Sequence, residues 1–118
     1  MSKKLGDISE NIAKRELEDL GHRILARNFH SRFGEIDIIS ICQEKILHFV
    51  EVKSRRSYGS PEEAVEFLKI SKIKKTINIW LNINKVYFES LQIDVCAISW
   101  DNSKYSIDWF WDVYIANN

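Results

Sequence analysis

Asp37, Glu51 and Lys53 are the side chains whose types and spacing could do chemistry in this chain, with Glu35 beside them. They fall in two runs rich in isoleucine and valine, Gly34 to Cys42 and Ile46 to Lys53, that read as strands. Gln43-Glu44-Lys45 between them reads as a three-residue turn, which makes the pair a hairpin. In that register Cys42 faces Ile46, Asp37 faces Glu51 and Glu35 faces Lys53. Alternation then places all four charged side chains on one face. Directly opposed side chains have Cβ atoms about 4.5–5.5 Å apart, where two carboxylates repel, more so if partly buried. One carboxyl can hold a proton, Lys53 can neutralise the pair, or a divalent cation can bind between them. Magnesium favours one or two carboxylates with waters and substrate phosphates, and this set is such a partial shell. The plainer alternative is a buried salt-bridge network, Glu35–Lys53 with Asp37 and Glu51. Three acids against one lysine leave that network over-charged, which favours a metal.

Other elements must hold this cluster in place. Gly6 to Gly21 reads as a helix, with Asp7 as its cap, Glu10 completing a capping box and Gly21 as its stop. Leu5, Ile8, Ile12, Ala13, Leu17 and Leu20 fall on one side of it, and Glu16 lands in the same arc without an obvious reason. His22 to Phe29 reads as a first strand. On the hairpin, Ile39, Ile41, Leu47 and Phe49 share the charged face, while Ile36, Ile38, Val50 and Val52 take the other. Two apolar faces are the mark of central strands covered by helices. Ser54 to Gly59 reads as a polar loop. Ser60-Pro61-Glu62-Glu63 then starts a helix that runs to about Leu81, with a break near Ile70-Ser71. Leu91 to Trp100 reads as a fourth strand, Asn102 and Ser103 as a turn, and Tyr105 to Ile115 as the beginning of a fifth strand. This order predicts an α/β fold with one mixed sheet of four or five strands flanked by helices. The 118 residues, without linker or repeat, suit a single domain spanning the chain.

A wider set of residues carries a family likeness. Asp37, then thirteen residues, then Glu51-Val52-Lys53 resembles the Asp…Glu-x-Lys signature of PD-(D/E)xK nucleases. Asn28, Gly34-Glu35-Ile36-Asp37, Phe49 to Lys53, Arg55, Ser60-Pro61, Ala64-Val65 and Lys69 together resemble the YraN-like family of small bacterial proteins. That family is distantly similar to archaeal Holliday junction resolvases, and the likeness runs from about Ser9 to Asp94. It implies a restriction-endonuclease-like fold and a magnesium- or manganese-dependent hydrolysis of DNA phosphodiester bonds, on branched or damaged DNA among the options. Asp37 and Glu51 would hold the metal with the Val52 carbonyl, and Lys53 would orient the attacking water or stabilise charge on the phosphate. Glu10 matches an acid that approaches the same site in the resolvases, a role that competes or coexists with helix capping. Glu35 is a supporting residue, first of all as a partner for Lys53. Arg55 and Lys69 are candidate phosphate contacts. Ser9, Glu16 and Gln92-Ile93-Asp94 depart from the family pattern, and none of these departures touches Asp37, Glu51 or Lys53.

Composition sets the remaining bounds. The formal net charge is zero, so bulk charge does not announce a nucleic-acid partner. The charge is uneven, though. Arg23, Arg27 and Arg32 lie in one acid-free stretch, and Lys69, Lys72, Lys74, Lys75 and Lys85 in another. Each is a solvated face or a phosphate-binding surface, and Lys72 joins Lys69 and Arg55 as a candidate DNA contact. No run is long and apolar enough for a membrane span, and the basic start lacks the apolar run of a signal peptide. Cys42 and Cys96 lack metal-type spacing and read as free thiols in strands, which suggests a reducing cytoplasm. His48 reads as a packing residue on the face opposite the acids. Trp109-Phe110-Trp111 and Tyr114 read as core, as a homodimer contact, or as a base-stacking surface. No phosphate-cradling glycine loop, zinc spacing or nucleophile elbow is present. Three readings are carried forward: a metal-dependent DNA nuclease, a nucleic-acid-binding module with little or no turnover, and a protein-interaction domain using the aromatic C-terminus.

Overall fold

The structure is a computed structural model that describes residues 3–56 and 69–113. In chain order it contains α1 (Lys3–Asp19), β1 (Arg23–Ser31), β2 (Gly34–Ile41), β3 (Ile46–Arg56), α2 (Ile70–Ile83), β4 (Ser90–Asp101) and β5 (Lys104–Phe110). The strands form one five-stranded sheet in the order β1-β2-β3-β4-β5. The β3–β4 pair is parallel and the other three pairs are antiparallel, so the mixed α/β sheet expected from the sequence is present. Tyr114 and the expected helix start at Ser60–Glu63 lie outside the described residues.

The hairpin turn sets the register of the site. Lys45 takes a left-handed φ of 64°, its N–H donates to the Cys42 carbonyl, and the Cys42 N–H donates to Ile46. This is the three-residue loop read from the sequence. It pairs Ile41 with Leu47, Ile39 with Phe49 and Ile38 with Val50, as expected. Toward α2 the sheet packs Ile39, Ile41, Leu47, Phe49 and Ile93 against Ile73, Ile77 and Trp80. Toward α1 it packs Ile38, Val50, Cys96 and Ile98 against Ala13 and Leu17. Both faces of the hairpin are therefore covered. Ile36 is the exception to the alternation, since it packs in the α2 cluster and not with Ile38. Asn28 of β1, left-handed at φ 53°, stands between the registered pairs Arg27↔Ile38 and Phe29↔Ile36, which is where the alternation slips.

The remaining expectations need local corrections. Helix α1 begins by Lys3, so Asp7 and Glu10 are interior residues and form no capping box. Its buried stripe is Ser9, Glu10, Ala13 and Leu17, whereas Ile8 and Leu20 are exposed. Gly21 does end the helix: at φ 92° it donates to Glu18, and His22 donates to Leu17, a pattern that needs a left-handed residue. Ser54, Arg55 and Arg56 continue β3 and are no loop, because parallel pairing with β4 extends to Arg56↔Trp100. Helix α2 starts at Ile70 with Lys69 non-helical before it, and the helix expected ahead of that point lies outside the described residues.

On β4, registered with Val50 of β3, Asp94 is fully buried. It accepts hydrogen bonds from His48 Nδ1 at 2.7 Å, Gln92 Nε2 at 2.7 Å and the Asp112 N–H at 2.9 Å. His48 lies against His22 and Trp111, and Trp111 stacks on Trp109 at 4.5 Å. His48 is thus a packing residue that also ties β3 to β4, and Asp94 anchors the chain after β5. Asp94→Ala leaves the buried His48 donor and two part-buried donors unpaired, the buried one alone at about 1–3 kcal/mol, so a loss of roughly 3 kcal/mol is expected in urea unfolding. A loss below about 1 kcal/mol contradicts this anchoring role.

Candidate active site

The acidic end of the hairpin opens where β2 and β3 part. Their register stops at Ile38↔Val50, one pair short of Asp37 and Glu51. The Asp37 carboxylate takes over from the ladder: its Oδ2 accepts the Val52 N–H at 2.7 Å. A residue in a strand points its N–H and its carbonyl to the same side. The geometry that aims the Val52 N–H at Asp37 therefore aims the Val52 carbonyl toward the same gap.

The two carboxyls are charge-frustrated. Burial raises the Asp37 pKa to about 6, and the negative charges of Glu10 and Glu35 add to it against the Val52 N–H and Lys53. Burial likewise raises Glu51 to about 8, with the Asp37 charge next in size, while Lys53 pulls the other way. Lys53 Nζ lies 3.8 Å from Glu51 Oε2, a loose ion pair with the ammonium partly in solvent. Glu51 Oε1 is buried and has no hydrogen-bond partner among the described residues. A buried carboxylate oxygen without a donor is unfavourable unless the group is protonated or a cation approaches it.

Glu10 reaches this region from α1 because the inward stripe of that helix is polar at its N-terminal half. Ser9 Oγ is 2.6 Å from Ser54 Oγ of β3 and accepts the Trp100 indole N–H of β4 at 2.9 Å. Those two contacts seat the helix on the sheet and turn Glu10 inward. Glu10 Oε1 then accepts from Arg27 Nε at 3.1 Å and from Asn28 Nδ2 at 3.0 Å. Both named bonds go to one oxygen. Glu10 thus belongs to the acidic end, held by β1, and its capping role is not observed. Arg27 and the left-handed Asn28 were not singled out as site residues by the sequence reading. An asparagine inside a strand, a poor β former, was the available signal.

Glu35 does not pair with Lys53. Its Oε2 sits 3.1 Å from His30 Nδ1, its cross-strand neighbour on β1. Glu35, Glu51 and Lys53 instead share a cleft of about 190 Å³ with α2. Lys69 and Lys72 line the helix side of that cleft, with Ile73 and Thr76 deeper. Phe33, in the β1–β2 turn, closes its end. Arg55 lies on the same strand face as Glu51 and Lys53 by alternation, outside the cleft lining. The structure thus gathers Asp37, Glu51, Lys53, Glu10 and Glu35 at one end, with Lys69 and Lys72 at the rim. Among the described residues no three His, Cys, Asp or Glu side chains form a ready metal cage. Two carboxylates and a carbonyl are a smaller set than that, and suit an ion that keeps its waters.

An aspartate and a Glu-x-Lys triplet thus meet at one end of a mixed five-stranded sheet. The chain belongs to the uncharacterised protein family UPF0102, which it matches over residues 9–98, the YraN-like family that its sequence resembles. It is 40% identical over 110 residues to a UPF0102 protein of Syntrophomonas wolfei, covering 92% of this chain and 95% of that one. A Clostridium perfringens relative is 37% identical over 117 residues, covering 96% and 95%. One from Campylobacter hominis is 44% identical over 96 residues, covering 81% and 84%. A solved structure of Pyrococcus furiosus SfsA in complex with Ca2+ resembles the chain at TM-score 0.39 and 16% identity. The likeness covers 93% of this chain and 63% of that one, and is too slight to carry an argument. No described helix is long and apolar enough to cross a membrane.

The carboxyl shifts fix a sign for stability. Asp37 and Glu51 bind protons more tightly folded than unfolded, so between their unfolded and folded values the native state holds more protons and loses stability as pH rises. The lowered pKa of His22 acts in the opposite sense, but only below the ordinary histidine value of 6.5. In chelator, urea-unfolding stability is expected to fall from about pH 6.5 to about pH 8, and Glu51→Gln to flatten that fall. A wild-type profile that rises over this window contradicts the frustration described.

Proposed function

We propose that this protein is a divalent-metal-dependent phosphodiesterase that hydrolyses DNA. The observation that carries the reading is the buried, unpartnered Glu51 oxygen beside Asp37, with Lys53 within reach of the same carboxylate. The donor set fits a hard cation: Asp37, Glu51 and the Val52 carbonyl would hold magnesium or manganese, with Glu10 near enough to add its charge. When bound, such an ion supplies Lewis-acid polarisation of a phosphoryl oxygen and a water of lowered pKa.

The protein's own groups divide the remaining work. Asp37 is oriented by the Val52 N–H, which leaves its second oxygen for the ion or a water. Lys53 places a partly solvated ammonium at the mouth of the site, where negative charge would develop on a phosphate under attack. Lys69 and Lys72 line the opposite wall and offer phosphate contacts that position the strand. Arg27 and Asn28 hold Glu10 in place. DNA suits this arrangement despite the zero net charge, because Lys53, Lys69 and Lys72 line one cleft.

Cleavage of linear duplex, single-stranded and four-way-junction DNA tests the reading, with magnesium, manganese or chelator. Metal-dependent cleavage is expected, and Lys53→Ala should slow it by about a hundredfold or more, as loss of one charge-stabilising donor does elsewhere. DNA affinity in chelator should change by less than about threefold, since one phosphate contact at most is lost. Equal cleavage by wild type and variant, or none by wild type with any metal, rejects the proposal.

A further inference from the structure

The cleft beside the acids has a wall that hydrolysis does not use. Phe33 is half-buried, next to Gly34, and lines the cleft together with the buried Ile73 of α2. The turn that carries Phe33 is locked in place. Its N–H donates to Ser31 Oγ at 3.1 Å, and Ser31 Oγ lies 2.8 Å from Thr76 Oγ1. Thr76 is itself buried within α2 and donates to the Lys72 carbonyl at 3.0 Å. The Arg32 guanidinium carbon is 4.8 Å and the Lys75 ammonium 5.0 Å from the centre of the Phe33 ring. An aromatic ring on a turn whose backbone is tied to α2 through two hydroxyls, with two cations near its face, thus lines the same cleft as Lys53, Lys69 and Lys72.

We infer that this cleft is a docking pocket for a single unpaired nucleotide of DNA, its base against Phe33 and Ile73 and its phosphates on the surrounding cations. The inference deepens, and rests on, the reading of the acidic end as a site for a DNA phosphodiester. A nucleotide combines a flat, apolar-faced base with an anionic phosphate, and the cleft offers both complements within one small volume. At about 190 Å³ it is smaller than the roughly 300–1,000 Å³ pockets of drug-sized ligands, and suits one base without its pairing partner. A base stacking on the ring replaces one of the two cations, which is then free for the adjacent phosphate. A base inside an intact duplex is already stacked on both sides, so it reaches Phe33 only when unpaired or extruded. The pocket therefore selects DNA with an unpaired nucleotide next to the phosphate that meets Asp37, Glu51 and Lys53.

The test is fluorescence anisotropy in chelator, with the full chain and three labelled DNAs of equal length: a perfect duplex, a duplex with one bulged nucleotide, and the same bulge made abasic. Base–aromatic stacking is worth about 1–3 kcal/mol, so the base-bearing bulge is expected to bind at least about fivefold tighter than the other two. Phe33→Ala should remove that preference and Phe33→Tyr should keep it. Equal affinity of wild type for the bulged and abasic DNAs overturns the inference, as does a preference that survives in Phe33→Ala. Absence of DNA binding overturns it together with the reading it rests on. Because no divalent metal is present, the two readings separate. Metal-dependent cleavage without base preference removes only the pocket, and a Phe33-dependent preference without cleavage under any metal removes only the hydrolysis.

Discussion

Two carboxylates held on neighbouring strands, mostly out of water, are the constraint around which this end of the molecule is built. Asp37 and Glu51 lie one pair beyond the last registered rung of the β2–β3 ladder, and each is pushed toward its neutral form. Burial is the larger cause in both, with mutual charge next for Glu51. The protein counters this only partly. One backbone N–H goes to Asp37, and one ammonium at 3.8 Å goes to Glu51. A design for stability alone replaces such a pair with apolar residues, as replacement of buried ion pairs elsewhere shows to be neutral or favourable. The retained frustration is what a cation would relieve.

The rest of the fold serves to hold that frustration in place. Helix α1 offers its polar stripe to the sheet, so Ser9 bonds toward β3 and β4 while Glu10 adds a third acid under the control of Arg27 and Asn28. Below the site, both faces of β3 are sealed by apolar clusters, which keep the hairpin from relaxing. Asp94 and His48 tie the parallel strands β3 and β4 together. Strain is thereby confined to the open end of the β2–β3 gap. The cationic rim of α2 faces the same gap.

Much of this was legible in the sequence, and the misses have physical causes. The turn Gln43-Glu44-Lys45 has one good three-residue geometry, so it fixes the register and with it the meeting of Asp37 and Glu51. The face assignments of Ile38, Ile39, Phe49 and Val50 followed from a period of two. Ile36 escaped because the left-handed Asn28 sits on another strand, where pattern along β2 cannot see it. The hairpin by itself pairs Glu35 with Lys53. The tight β1–β2 turn brings His30 closer, and that depends on a pairing that β1 itself does not announce. The capping box at Asp7 and Glu10 had the right residues in the wrong place. Helix α1 buries Ser9 and Glu10 because their partners lie on strands far along the chain. The length of β3 was underestimated for the same kind of reason, since Ser54 to Arg56 are polar and become strand only through parallel pairing with β4.

The central claim, that Asp37 and Glu51 repel each other until a cation binds, is tested most directly by thermal unfolding of wild type and Asp37→Asn in chelator and in added manganese. Asparagine keeps the acceptor for the Val52 N–H and removes one charge. At about pH 8, where Asp37 is ionised and Glu51 is losing its proton beside it, the variant should melt a few degrees higher than wild type in chelator. Manganese should raise the wild-type midpoint through binding linkage and raise that of the variant much less. A large drop in the midpoint of Asp37→Asn in chelator, with no shift of wild type by manganese, would show instead that Asp37 is a structural partner and would contradict the account.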